Sequence, residues 1–256
     1  MQHFSSFDGA SIAYLDAGEG RPVLLLHGFA ADHQANWVAP GVVDALVRAG
    51  HRVIAPDARG HGGSAKPTEP ARYADDAMVR DARALLDHLS VGEIDVVGYS
   101  MGSLVAARLV PVEPRSRSLV LGGFGEGLAG ERRRANRGVV ADALLADDPS
   151  NIHDPIAHAF RQFADWTGAD RRALAAIQRA PLPKDPTRLG AINVPTLVLA
   201  GDRDVLVGSA RGLADRIPGA TVRIVSGDHL TAVNDPAFRT AIVEFLAELP
   251  RPVPNS

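Results

Sequence analysis

Gly98-Tyr99-Ser100-Met101-Gly102 is the stretch that decides the fold. It follows a short apolar run, 94–98, and leads into 100–110, where apolar residues recur at helical spacing. A serine at the tip of a sharp strand-to-helix turn has a strained backbone, and its neighbours two residues away must lack side chains for the turn to close. The turn exposes the Ser100 hydroxyl at a helix N-terminus, where developing negative charge is favoured. A glycine-rich turn with a capping serine would carry the same letters. The strand before it and the helix after it favour a nucleophile.

Outward from this turn the same alternation runs along the chain. Short runs rich in Val, Ile and Leu at 23–27, 52–56, 94–98, 118–121, 196–200 and 221–225 read as strands. Segments 36–49, 73–89, 100–110 and 209–217 read as helices, and a last helix starts at Asp235 as N-cap with Pro236 in first position and runs to about 249. Residues 11–16 alternate like a strand near an edge. The run 23–27 is apolar throughout, as a strand covered on both faces should be. The proline-rich tail 250–254 cannot continue a helix and is expected to fray. The pattern predicts a mainly parallel sheet with helices on both faces. Between 121 and 196 no strand signal appears, and 131–146, 155–164 and 170–179 look helical. We expect a core of 1–124 and 191–256, with 125–190 as a small helical cap inserted after the strand at 118–121.

Three further loops carry chemistry. His27-Gly28-Phe29 ends the first buried strand, and a glycine there lets the backbone approach a ligand. An oxyanion hole needs two backbone amides, and Phe29 and Met101 are the candidates. Gly201-Asp202-Arg203-Asp204 and Gly227-Asp228-His229 each follow a strand and leave the same carboxyl edge of the sheet as Ser100. The order serine, acid, histidine suits a relay in which His229 takes the serine proton and a carboxylate fixes its tautomer. Such a base acts only when neutral, so activity should fall on acidification. Asp204 and Asp202 are both within reach as the acid.

With these residues in view the chain resembles the α/β-hydrolase superfamily, in its compact, short-capped esterase-like branch. The resemblance spans about 23–249 and rests on His27-Gly28-Phe29, the run Pro56-Asp57-Ala58-Arg59-Gly60-His61-Gly62-Gly63-Ser64, the Ser100 pentapeptide, Gly201-Asp202-Arg203-Asp204 and His229. It implies that the acid is the last residue of Gly-x-x-Asp, Asp204, with Asp202 as its rival. It also implies that the Asp57–Gly62 turn is scaffold. A serine nucleophile departs from the aspartate of dehalogenases, and the loop after the first buried strand lacks a Gly-Gly-Gly run. Asp228 stands where relatives often have glycine.

Composition sets the outer limits. The chain has 256 residues, 46% hydrophobic and 22% charged, which fits one globular α/β domain. Its net charge is −3, without the basic excess of an electrostatic nucleic-acid binder. With no cysteine, disulfides, thiolate catalysis and cysteine-held metals are excluded. No apolar run approaches a membrane span, and the first residues lack a signal-peptide pattern, so a cytoplasmic address is the expectation.

Some motifs are decoys. Gly125-Glu126-Gly127-Leu128-Ala129-Gly130 fits G-x-G-x-x-G but begins past its strand and lacks the following acid-tipped strand, so it reads as a flexible hinge rather than a dinucleotide site. His153 and His158 are five apart and face different sides of a helix. Arg132, Arg133, Arg134 and Arg137 read as a solvated face, with an anionic-substrate gate as the sharper alternative. Phe160, Phe163 and Trp166 can share a helix side and roof a pocket, and Trp37 and Phe124 are further lining candidates. The expected activity is cofactor-free and metal-free hydrolysis of small to medium carboxylic esters through an acyl-enzyme. Acyl transfer, or C–C, lactone or amide cleavage, would use the same residues; a hydrolase-fold receptor with little turnover is the rival of a different class.

Overall fold

A computed structural model describes residues 1–129, 132–181 and 189–249, with the side chains of 128, 129 and 132–135 outside the described set. Strands β1 (Gln2–Ser5), β2 (Ser11–Ala17), β3 (Arg21–Leu26), β4 (His51–Pro56), β5 (Ile94–Tyr99), β6 (Ser116–Gly122), β7 (Thr196–Gly201) and β8 (Thr221–Val225) form one sheet in the order β1-β2-β4-β3-β5-β6-β7-β8. β1 and β2 run antiparallel to their neighbours, and from β4 to β8 every pairing is parallel. The α/β-hydrolase fold expected from the resemblance is the fold observed.

The continuous apolar strands have a two-sided cause. Alternate residues point to opposite faces, so Leu24 and Leu26 join one core while Val23 and Leu25 join the other. The first core is closed by α2 (Ala77–His88), α3 (Met101–Leu109) and α8 (Ala210–Ala214), through Leu85, Leu86, Leu109 and Leu213. The second is closed by α1 (Val42–Arg48) and α9 (Pro236–Glu248), through Leu46, Phe238, Ile242 and Phe245. The Asp235 side chain accepts a hydrogen bond from Ala237 N and caps α9 as the sequence suggested.

Several boundaries differ from expectation. The segment 36–49 is not one helix: a π-helical turn at Gln34–Val38 ends before Pro40-Gly41, where Gly41 adopts φ +76°, and α1 starts afresh. Tyr73 closes a short 3-10 turn, and α2 begins only at Ala77, after Asp75 and Asp76 in left-handed conformation. α8 is shorter than 209–217, with Ser209 as its cap. β2 lies one strand inside the edge, because β1 pairs with it. β1 escaped notice because it is four residues long and buries only Phe4.

Between β6 and β7 lie α4 (Glu126–Ala129), α5 (Arg132–Leu145), α6 (Pro155–Thr167) and α7 (Arg171–Arg179). Ala141, Leu144, Ala157, Ala164 and Leu174 bury one another and close over Phe29, Ala30 and Met101. The helical segment therefore sits directly on the loops after β3 and β5. The supposed hinge is fastened as far as it is described: Gly127 N donates to Val207 O at 2.9 Å, and Gly125 is pressed against the Val207 backbone. Gly130 and the tail 250–254 lie outside the described residues.

Candidate active site

Ser100 occupies the turn between β5 and α3 with φ 50° and ψ −109°, a conformation L residues rarely adopt. Its amide donates to Gly122 O at 2.8 Å, which pins the turn to β6. The flanking glycines are sterically required. A Cβ on Gly98 would lie 2.5 Å from the Gly102 carbonyl oxygen, and one on Gly102 would overlap the Leu26 carbonyl.

The loops after β7 and β8 bring two partners to this serine. Ser100 Oγ lies 2.8 Å from His229 Nε2, and His229 Nδ1 lies 2.8 Å from Asp204 Oδ2. All three residues are buried. With Nδ1–H donating to the carboxylate, Nε2 is left to accept from the hydroxyl. Tyr99 Oη donates to the His229 carbonyl at 2.8 Å and fixes the loop that carries the imidazole. Asp202, the rival acid, points elsewhere: it is exposed, accepts from Gly227 N at 2.9 Å and pairs with Arg203. Asp228 is also exposed, and a hydrogen bond from Thr231 holds its carboxyl below the ordinary range.

The loop after β3 is held by a network that includes Ala58 and His61 of the turn read as scaffold, and Asn36 and Thr167, to which no site role was given. Gly28 N donates to Asn36 Oδ1 at 2.8 Å, and Ala30 N donates to His61 Nε2 at 3.2 Å. His27 Nε2 accepts from Ala58 N at 2.9 Å, while its Nδ1 donates to Gly28 O. Thr167, at the end of α6, places its hydroxyl 2.9 Å from Ala30 O. These ties hold Ala30 at φ +61°, a left-handed value for a non-glycine. Among the described residues, the amides of Phe29 and Met101 have no acceptor, and both residues line the cavity at Ser100.

Burial pushes His27 and His61 down, His61 to about 3, so both rings are neutral. Burial alone would raise the Asp57 carboxyl, but hydrogen bonds from the His33 ring, His33 N and Gly63 N hold it well below the carboxylate range. Below the ordinary imidazole value of 6.5 the unfolded chain protonates His27 and His61, whereas the folded chain refuses a proton on His61 until about 3. Stability should therefore fall with falling pH across that window, by roughly 1.4 kcal/mol per pH unit for the His61 ring, and His27 contributes in the same direction. His33, raised by Asp57, contributes in the opposite sense: its stabilisation is present in acid and lost as pH rises through its folded value. His61→Gln keeps an acceptor for Ala30 N but removes one titrating ring. Urea unfolding of this variant should depend less steeply on pH between 6.5 and 4 than the wild type does, and equal slopes would contradict the assignment of His61.

Two cavities meet at Ser100 and His229. One, of about 280 Å³, is lined by Ala35, Phe160, Phe163, Trp166, Leu230 and Asn234 among others. The other, of about 500 Å³, is lined by Leu104, Phe124, Arg137, Val140, Ile156 and Leu206 among others. Phe29 and Phe160 border both, with their rings edge to face at 5.7 Å. Of the expected lining residues, Phe124 faces the larger cavity, and Phe163 and Trp166 the smaller, stacked on each other with Trp166 74% exposed. Trp37 is a correction. It is fully buried in the core under α1 and α9 and lines neither cavity, because the π-helical turn directs it into the sheet-facing core. Arg137 is not part of a solvated face: it bonds the carbonyls of Ile177, Gln178 and Ala180 and borders the larger cavity. The side chains of Arg132, Arg133 and Arg134 lie outside the described set.

Comparison with known proteins agrees with the fold. A family model described as the alpha/beta hydrolase fold matches residues 21–122. RutD of Variovorax paradoxus (strain S110), which carries a provisional name as a carbamate hydrolase, is 32% identical over 91% of this chain and 94% of its own. The 2-hydroxymuconate semialdehyde hydrolase of Pseudomonas sp. (strain CF600) is 30% identical over 91% of this chain and 89% of its own. Among solved structures, a thermophilic esterase from Thermogutta terrifontis superposes with a TM-score of 0.77 at 27% identity, covering 97% of this chain and 99% of that one. On the strength of these relatives and of the eight-stranded sheet, the chain belongs to the α/β-hydrolase-fold family, whose members similar to it include many hydrolases.

Proposed function

We propose that the chain is a cofactor-free serine hydrolase that cleaves small to medium carboxylic esters through an acyl-enzyme. The observation that carries this reading is the buried Ser100–His229–Asp204 relay, opening on two cavities beside the Phe29 and Met101 amides. Ser100 Oγ attacks the acyl carbon while His229 Nε2 takes its proton, and Asp204 steadies the imidazolium. The two amides hold the oxyanion of the tetrahedral intermediate. His229 then returns the proton to the leaving alkoxide, and the alcohol departs. A water, deprotonated by the same imidazole, attacks the acyl-enzyme, and the acid departs as His229 returns that proton to Ser100 Oγ. Carbamates, enol-lactones and esters, for which similar proteins are named, each present a carbonyl carbon that such a relay can attack. In this reading 125–190 serves as a cap, and the partner is a small-molecule ester.

Turnover of a panel of activated esters tests the reading. Tight ester binding with no turnover would instead favour a receptor built on this fold. Alcohol length gives a finer prediction. Each methylene of the alcohol part buried against Phe160 and Phe163 in the smaller cavity adds roughly 0.8 kcal/mol until that cavity is full. A plot of kcat/KM against alcohol length should rise, peak at short-to-medium chains and fall. Trp166→Ala, which removes the exposed rim of the smaller cavity, should move the peak to longer chains. A monotonic rise to long chains with activation at a lipid interface would contradict it.

A further inference from the structure

The larger cavity is mostly apolar. Among its described lining residues only Arg137 carries a permanent charge. Arg137 stands on α5 and is half-buried. Its Nε donates to Gln178 O at 2.8 Å, and its Nη2 donates to Ile177 O at 2.5 Å and Ala180 O at 3.1 Å, all at the C-terminal end of α7. A guanidinium has five N–H donors in a planar fork. These three bonds leave Nη1 with no acceptor among the described residues, and no described carboxylate pairs with Arg137. The helix end orients the fork without neutralising it, since carbonyl dipoles offer only partial charge. Burial disfavours the charged form of Arg137, as expected for a cation that lacks an acid partner.

We infer that Arg137 is a specificity-determining residue that binds a carboxylate carried by the acyl part of the substrate, so that the preferred esters are monoesters of short dicarboxylic acids. The carboxylate would accept from Nη1 while the ester carbonyl lies at Ser100, both groups within the one cavity of about 500 Å³. The planar fork suits a carboxylate, and the charge-assisted bond gains strength away from bulk water. A role confined to capping α7 would use the three carbonyl bonds and leave Nη1 idle.

This inference rests on the hydrolase reading above, and the test separates the two. Monomethyl succinate, glutarate and adipate are compared with methyl butanoate, pentanoate and hexanoate, pairs that exchange a terminal methyl for a carboxylate. In the wild type the best acid-to-neutral ratio of kcat/KM should reach about tenfold or more. It should shrink with added KCl, collapse in Arg137→Gln through KM, and recover in part in Arg137→Lys. A wild-type ratio at or below one for every pair, or a ratio unchanged in Arg137→Gln, overturns the inference. If Arg137→Gln does not fold, the wild-type ratio and the Lys variant still decide it. If neither ester type turns over, the hydrolase reading fails. Calorimetry with glutarate then decides this inference alone: saturable binding weakened in Arg137→Lys and lost in Arg137→Gln supports it, and no binding overturns it.

Discussion

Ser100→Ala is expected to lower kcat toward activated esters by about 10³-fold or more while leaving the fold intact. The backbone bonds that hold the turn, Ser100 N to Gly122 O and Leu104 N to Ser100 O, do not involve the hydroxyl. The strained backbone at φ 50° is no harder for alanine than for serine, and the flanking glycines keep their close contacts. Only the 2.8 Å contact with His229 Nε2 disappears. An unchanged thermal transition with lost turnover is therefore the expected pair of results. Near-normal turnover in the variant would remove Ser100 from the chemistry.

The second large effect belongs to Asp204. Asp204→Asn should cost about 10³- to 10⁴-fold in kcat near neutral pH, whereas Asp202→Asn should stay within a few-fold of wild type. An asparagine amide at 204 would donate to His229 Nδ1, where the carboxylate now accepts at 2.8 Å. The ring would then carry its proton on Nε2 and could not accept one from Ser100. Asp202 makes its bonds to Gly227 N and the exposed Arg203, and asparagine can still accept from Gly227 N. Steady-state kinetics on both variants at matched stability check this. A greater loss in Asp202→Asn would reverse the roles.

The fold was legible because its causes are local. A strand covered on both faces reads as a near-continuous apolar run, as 23–26 does, and the Ser100 turn tolerates only glycine at 98 and 102. The resemblance pointed to Asp204 over Asp202 as the candidate acid, and the structure puts Asp204 rather than Asp202 against His229. Other features depend on long-range packing that no local pattern encodes. Trp37 looks the same in sequence whether it faces a pocket or a core. The chain break at Pro40-Gly41, which lets α1 start anew, was visible in the letters and was overridden by the helical periodicity around it. The buried acceptors His61 and Asn36 hold the loop of Phe29 from 31 residues and 8 residues away, so only the folded chain reveals them. In sequence Arg137 is indistinguishable from a run of surface arginines, and only the folded chain brings the α7 carbonyls that hold it at the border of the cavity.

The central claim is a covalent intermediate on one serine, and intact-protein mass spectrometry after treatment with an alkyl fluorophosphonate tests it most directly. The account predicts one adduct per chain, mapped to Ser100 by peptide analysis, with none on Ser100→Ala. A protein that takes up no phosphonate at neutral pH, or takes it up on another serine while turning over esters, would contradict it.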